Sequence, residues 1–157
     1  MKNLDKIAFE FWAGVGSMSD LENWAESELR KDNPHPDACE LFGLSTEEAQ
    51  KRSIALAEEI LGFKPVSEQG EKLAKELLVG YCEKLIKKEI TPMKFCLLVQ
   101  LFDANYLGLR TLGDGSLEYP AWLGNLWNNC DWCDESWSLS SSPHLLEEAK
   151  KVIKNET

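Results

Sequence analysis

The sequence predicts a mostly α protein, a single domain over residues 1–157 with six or seven helices in an irregular orthogonal bundle and room for one small β-hairpin near residue 110. Three observations carry that expectation. Apolar residues recur at three- and four-residue spacing in several segments, serine or threonine caps stand where those segments begin, and glycine or proline stands near their ends. With 43% apolar and 28% charged residues over 157 positions, the chain can bury one core without disulfides or a structural metal.

Leu4, Ile7, Ala8, Phe11 and Trp12 share one helical face, so the first dozen residues form an amphipathic helix ended by Gly14 and Gly16. Ser19 with Glu22 three residues later has the capping-box pattern and opens a second helix to about Lys31, which the segment DNPHP breaks. Ser45 and Glu48 repeat the pattern. They open a helix with Ala49, Ser53, Leu56, Ala57, Ile60 and Leu61 on one face and Gly62 just past its end. From about Ser67 to Lys88, the four-residue spacing of Leu73, Leu77, Tyr81 and Leu85 predicts a fourth helix, with lysines in its last turns.

Thr91-Pro92 places a cap and a proline at the first helical position before FCLLVQLF, a run apolar nearly all round. The expectation is a central buried helix through Tyr106; a buried strand is the alternative for so short an apolar run. Gly108, Gly113, Asp114 and Gly115 then mark a turn or short hairpin. Pro120 opens a helix to about Asp134, and Ser142-Pro143 caps a last one through about Lys154.

Charge narrows the partners. Twenty-seven acids against 17 bases give a net charge of −10, which repels phosphate backbones and anionic lipid headgroups and suits a basic protein partner. Nucleic-acid and membrane binding are not expected. The N-terminal MKNLDKIAFEFWAGVGSMSD interrupts its apolar residues with acids, so no signal-peptide core is read there. Five cysteines, an odd number at uneven spacing, favour reduced thiols and a cytoplasmic location.

The most distinctive stretch is YPAWLGNLWNNCDWCDESW, where Trp122, Trp127, Trp132 and Trp137 stand five residues apart. Steps of five turn roughly 140° about a helix axis, so these rings cannot form one stripe. On a helix running that far, Trp122, Leu126, Cys130, Cys133 and Trp137 share the apolar face. Asn125, Asn128, Asp131, Trp132 and Glu135 share the other. A tryptophan among amides and carboxylates resembles an interface anchor. The plainer alternative packs Trp132 as core beneath the following SWSLSSS loop.

From Thr111 to Ala149 there are seven acids, Asp114, Glu118, Asp131, Asp134, Glu135, Glu147 and Glu148, and no lysine or arginine. Such a one-signed surface can face a basic cleft, such as that of a nuclease; it can equally be a solvated face that aids solubility. The partner-binding candidates are therefore Asp114, Glu118, Asn125, Asn128, Asp131, Trp132, Asp134 and Glu135. The alternative place for the interface is the acidic surface near Glu22, Glu26 and Asp32.

Cys130-x-x-Cys133 is the one formal metal or redox motif, with His35 and Cys39 as conceivable further zinc ligands. A single CxxC without a second pair, and without a strand-to-helix junction, fits buried thiols better. His35 and His144 are the only histidines. The nucleophile-elbow, phosphate-loop, dinucleotide and HExxH patterns are missing, so no enzyme, metal or cofactor is expected.

The block from Thr91 through Trp137, in particular TPMKFC and EYPAWLGNLWNNCDWCDESW, resembles stretches of small bacterial proteins that include immunity partners from contact-dependent inhibition and other polymorphic toxin systems. It spans about a third of the chain. The resemblance implies a small, acidic, cytoplasmic protein without an enzymatic site that binds a cognate toxin and blocks it. Another acidic interaction module, such as a regulatory subunit or a nucleic-acid mimic, is the alternative; a zinc protein built on the CxxC is a further one. No residue role carries over, because immunity families differ in fold and interface.

Overall fold

The structure is a computed structural model that describes residues 1–106, 121–123, 125–131 and 133–156. Among the described residues there are seven α-helices and no strand, so the fold is mostly α. The turn or hairpin expected near residue 110 lies outside the described residues. The backbone divides into two compact units, Met1–Leu73 and Ala74–Thr157.

In the first unit, α1 (Leu4–Trp12) packs mainly on α3 (Thr46–Leu61), and α2 (Met18–Leu29) touches both. A 3-10 helix at Pro36–Leu41 closes against α2. Every residue from Ile7 to Phe11 is buried, so α1 is covered on more than its apolar stripe. Ile7, Phe9, Leu21, Leu41 and Phe63 are essentially inaccessible, and each contributes roughly 1.5–3 kcal/mol relative to an exposed position. Wrapping α1 also buries Glu10. Lys2 answers it, reaching Glu10 and Asp20 at 2.7 Å each and so tying α1 to α2.

The start of α2 differs from the expectation. Ser17, not Ser19, is the cap; its hydroxyl accepts the Asp20 N–H, and Glu22 instead accepts the Gly43 N–H. For α3 the capping box of Ser45 and Glu48 forms as read, and Gly62 ends the helix in the left-handed conformation at φ 64°. Its buried face is Ala49, Ser53, Leu56 and Ala57. Ile60 and Leu61, expected on that face, are 41% and 51% exposed and line an open cleft of about 500 Å³ with Leu4 and Trp24.

Helix α4 (Glu68–Ile86) begins in the first unit and continues into the second. Gly70 is required there, because a Cβ would stand 1.8 Å from the Pro65 carbonyl oxygen. Farther along, Ala74, Leu78, Tyr81, Cys82 and Leu85 are buried, whereas Leu73 and Leu77 are only half-buried. Of the four-residue row read in the sequence, Tyr81 and Leu85 thus face the core, while Ala74 and Leu78 take the inner positions in the earlier turns. The helix closes at Lys88, which takes the left-handed conformation at φ 60° while the Glu89 N–H returns to the Lys84 carbonyl.

In the second unit, α5 (Pro92–Asn105) starts at the expected Thr91 cap and Pro92. Its inner face is Phe95, Cys96, Val99 and Phe102. Met93 and Leu97 are 42% and 46% exposed, so α5 is not covered all round. A 3-10 turn (Ala121–Leu123) and the one-turn α6 (Leu126–Asn129) replace the long helix expected from Pro120 to Asp134. Asparagine and aspartate between Asn125 and Asp134 compete with helical hydrogen bonds through their side chains, which disfavours a longer helix. Helix α7 (Pro143–Glu156) packs on α6 and on the 3-10 turn. Leu145, Ala149 and Val152 point into this core with Leu123, Leu126 and Cys130.

Candidate functional site: the acidic segment between α6 and α7

The acidic segment is anchored at its start by α7. Glu148, 7% exposed, accepts the Asn125 N–H at 2.8 Å and so satisfies a donor at the head of α6. Within α6, Leu126 faces the core and Asn125 and Asn128 face solvent. The chain then tightens: Cys130 N–H returns to Leu126 O, Asp131 N–H to Asn128 O, and Cys133 N–H to Cys130 O at 3.2 Å. Cys130 is buried by these turns and Asp131 is turned outward.

A second local turn follows. Asp134 Oδ1 accepts the Ser136 N–H at 2.7 Å and the Ser136 hydroxyl, and Trp137 N–H returns to the Asp134 carbonyl. The Ser136 hydroxyl and N–H together hold the Asp134 carboxyl below its ordinary value of 3.8, so it is ionised at neutral pH. Trp137 stands edge-on to His144, with ring centroids 5.2 Å apart. It also lines a cleft of about 370 Å³ with Ile90, Pro92 and Leu139, where Lys88 and the Ser138 and Ser140 hydroxyls supply polar groups.

Of the eight candidate positions, Asn125, Asn128, Asp131, Asp134 and Glu135 are exposed along this segment. Asp114, Glu118 and Trp132 lie outside the described residues. Of the two remaining acids of the run, one is buried and the other is exposed but paired. Glu148 is buried beside Lys151, and Glu147 meets Lys150 at 3.5 Å. Among the described residues no ion pair reaches Asp131, Asp134 or Glu135.

In the second acidic surface read in the sequence, Glu22 accepts the Gly43 N–H and no ion pair reaches Asp32 among the described residues, whereas Glu26 is paired with Arg30 at 2.6 Å. Acids nearby follow the same habit, as in Glu28 with Lys31, Glu47 with Lys51 and Glu40 with Arg52. Much of the negative charge in the first unit is therefore met by a neighbouring cation. That of Asp131, Asp134 and Glu135 meets no cation among the described residues.

The cysteines divide between the units. Cys39 is exposed, with its thiol near the Pro36 carbonyl, and His35 bonds to Glu59 at 3.4 Å. Both lie in the first unit, apart in sequence from Cys130 and Cys133 in the second. Among the described residues no group of three or more His, Cys, Asp or Glu side chains is arranged to hold a metal ion. Sequence reasoning missed Cys96. It is buried on α5, and the neighbouring Cys130 thiol together with burial raises its thiol above the ordinary value. Its place beside Phe95 and Val99 reads simply as core, and only the fold brings it to the CxxC.

No family model matches the chain, and neither a curated protein nor a solved structure matches it. Among the described residues no helix is long and apolar enough to cross a membrane.

Proposed function

We propose that this chain is an immunity protein that binds a cognate bacterial toxin in the cytoplasm and neutralises it without catalysis. The contact surface is the acidic segment between α6 and α7. Asp131, Asp134 and Glu135 supply the charge, Asn125 and Asn128 supply hydrogen-bonding amides, and Trp132 is the aromatic anchor. Asp114 and Glu118, acids of the same run in the sequence, complete the candidate set.

The observation that supports this reading best is the contrast in charge pairing. Several carboxylates elsewhere, among them Glu10, Glu26 and Glu47, are met by lysine or arginine, whereas among the described residues no ion pair reaches these three. Unpaired acids at adjacent turns create a local negative potential that draws in a basic surface and sets its orientation. A nuclease cleft built for phosphates presents such a surface, and carboxylates can occupy its phosphate positions.

The test is neutralisation. The tagged chain is used to recover a partner in near-equal amount, and that partner's toxicity is measured with and without this protein. The reading expects one basic toxin domain, inhibited on binding and not rescued by unrelated acidic proteins. Inhibition of several unrelated DNA-binding enzymes, with DNA as competitor, would replace it by nucleic-acid mimicry. A recovered partner whose activity is unaffected would overturn it.

A further inference from the structure

We propose that the cleft beside Trp137 binds a free amino acid with an apolar side chain, Lys88 meeting its carboxylate and Glu89 its ammonium. The cleft, about 370 Å³, lies wholly within the second unit, between the α4–α5 connection and the turn that follows Trp137. Its size falls within the roughly 300–1,000 Å³ of small-molecule sites. Ile90, Pro92, Trp137 and Leu139 make its apolar wall. Pro92 is buried and Trp137 is held edge-on against His144 at 5.2 Å, so the wall is formed before a ligand arrives.

The charged groups set the class of ligand. Lys88 and Glu89 both line the cleft, and among the described residues no ion pair reaches either. A ligand of one sign is attracted by one of them and repelled by the other, whereas a zwitterion is complementary to both. An α-amino acid carries its two charges on one carbon and leaves its side chain for the apolar wall. Both side chains are exposed, so each contributes little alone, and discrimination needs the two charges and the wall together.

Two further observations support the site. Lys88 holds a left-handed backbone at φ 60°, where glycine would sit without strain, and Lys84 already supplies a cation to the last turn of α4. A strained residue whose side chain lines a cleft marks that side chain as one in use. On the facing turn, the Ser138 N–H donates to the Ser141 hydroxyl at 2.9 Å, and the Ser138 and Ser140 hydroxyls stand 2.9 Å apart. That turn is therefore fixed. A hydroxyl has one donor and two acceptor positions, so Ser140 retains capacity to bond either end of the zwitterion.

The isotope-labelled full-length protein is titrated with L-phenylalanine and followed through its amide NMR shifts. Three analogues run beside it: N-acetyl-L-phenylalanine, which lacks the ammonium, L-phenylalaninamide, which lacks the carboxylate, and glycine, which lacks the apolar side chain. Saturable shifts are expected at Lys88, Glu89 and Ile90 and from Trp137 to Ser140, with roughly millimolar affinity and about tenfold weaker binding of each analogue. K88Q is expected to lose the preference for L-phenylalanine over the amide, and E89Q the preference over the N-acetyl compound. Equal affinity for the blocked analogues would reduce the cleft to an apolar groove and overturn the proposal. Shifts centred on the cleft of the first unit, or no saturation in the millimolar range, would overturn it too. The analogue comparison on the wild type decides the question even if a variant fails to fold.

Discussion

The Glu148 carboxylate on α7 accepts the Asn125 N–H at the head of α6 at 2.8 Å, joining two helices that are separate in sequence. The contact is part-buried, and it sets where the acidic segment leaves the core. Replacing Glu148 by alanine strands the Asn125 N–H and is expected to cost about 2 kcal/mol in urea unfolding. E148Q keeps an acceptor and is expected to lose less. An unchanged midpoint for the alanine variant would show that α6 is held by other contacts.

Lys88 carries a left-handed backbone at φ 60° where α4 ends, a conformation that costs an L-residue roughly 1–2 kcal/mol. Its side chain is exposed. K88G removes the clash and gives back part of the gain through added freedom in the unfolded chain, so a net stabilisation of about 0.5–1 kcal/mol is expected. Calorimetry checks it, and a lowered melting temperature would contradict the backbone geometry.

Gly70 and Gly62 make a paired test. A Cβ at Gly70 would meet the Pro65 carbonyl oxygen at 1.8 Å, whereas one at Gly62 meets nothing within 4 Å and suffers only the left-handed backbone at φ 64°. G62A is expected to cost about 1 kcal/mol, and G70A more than that because main chain must move. Equal losses in denaturant titrations would refute the close approach of Pro65 to α4.

The capping box at α3 gives a pH prediction. The Ser45 N–H and hydroxyl hold Glu48 below its ordinary value of 4.5. A carboxyl depressed in the folded state stabilises it fully above its unfolded value and loses that contribution as pH falls through the folded value. S45A is expected to cost about 1 kcal/mol at neutral pH. Its deficit should shrink as the pH is taken below about 4.5, the unfolded carboxyl range. A deficit independent of pH would mean that the hydroxyl caps α3 without help from Glu48.

The parts of the fold legible in the sequence are those decided locally. Ser45, Glu48 and Gly62 bracket α3, and Thr91-Pro92 starts α5, because a cap and a proline act within one turn. Tertiary contacts decided the rest. Ser17 and Ser19 are both competent caps, and the choice falls to Ser17 at the turn where Lys2 binds Asp20. The row Leu73, Leu77, Tyr81 and Leu85 has helical period, but period alone does not say which side is covered: Tyr81 and Leu85 are buried, whereas Ala74 and Leu78 take the inner positions in the earlier turns. The long helix through Trp122 and Trp137 gives way where the Asn125 N–H donates a hydrogen bond to Glu148 on α7.

The candidate site was legible in outline. Composition marked the acidic run, but not that Glu148 is buried while Asp131, Asp134 and Glu135 are open. Cys96 had no sequence signal at all, since a cysteine on an apolar helix face reads as core until its neighbour is known.

The most direct test of the account is the association rate of this chain with its purified toxin, measured by stopped flow at low and high salt for the wild type and for D131K/E135K. Both positions are exposed and unpaired among the described residues, so the variant should keep its fold. The account predicts association slowed by roughly tenfold or more at low salt, with the difference narrowing as salt screens the charges. Equal rates for the folded variant and the wild type would contradict the acidic segment as the docking surface.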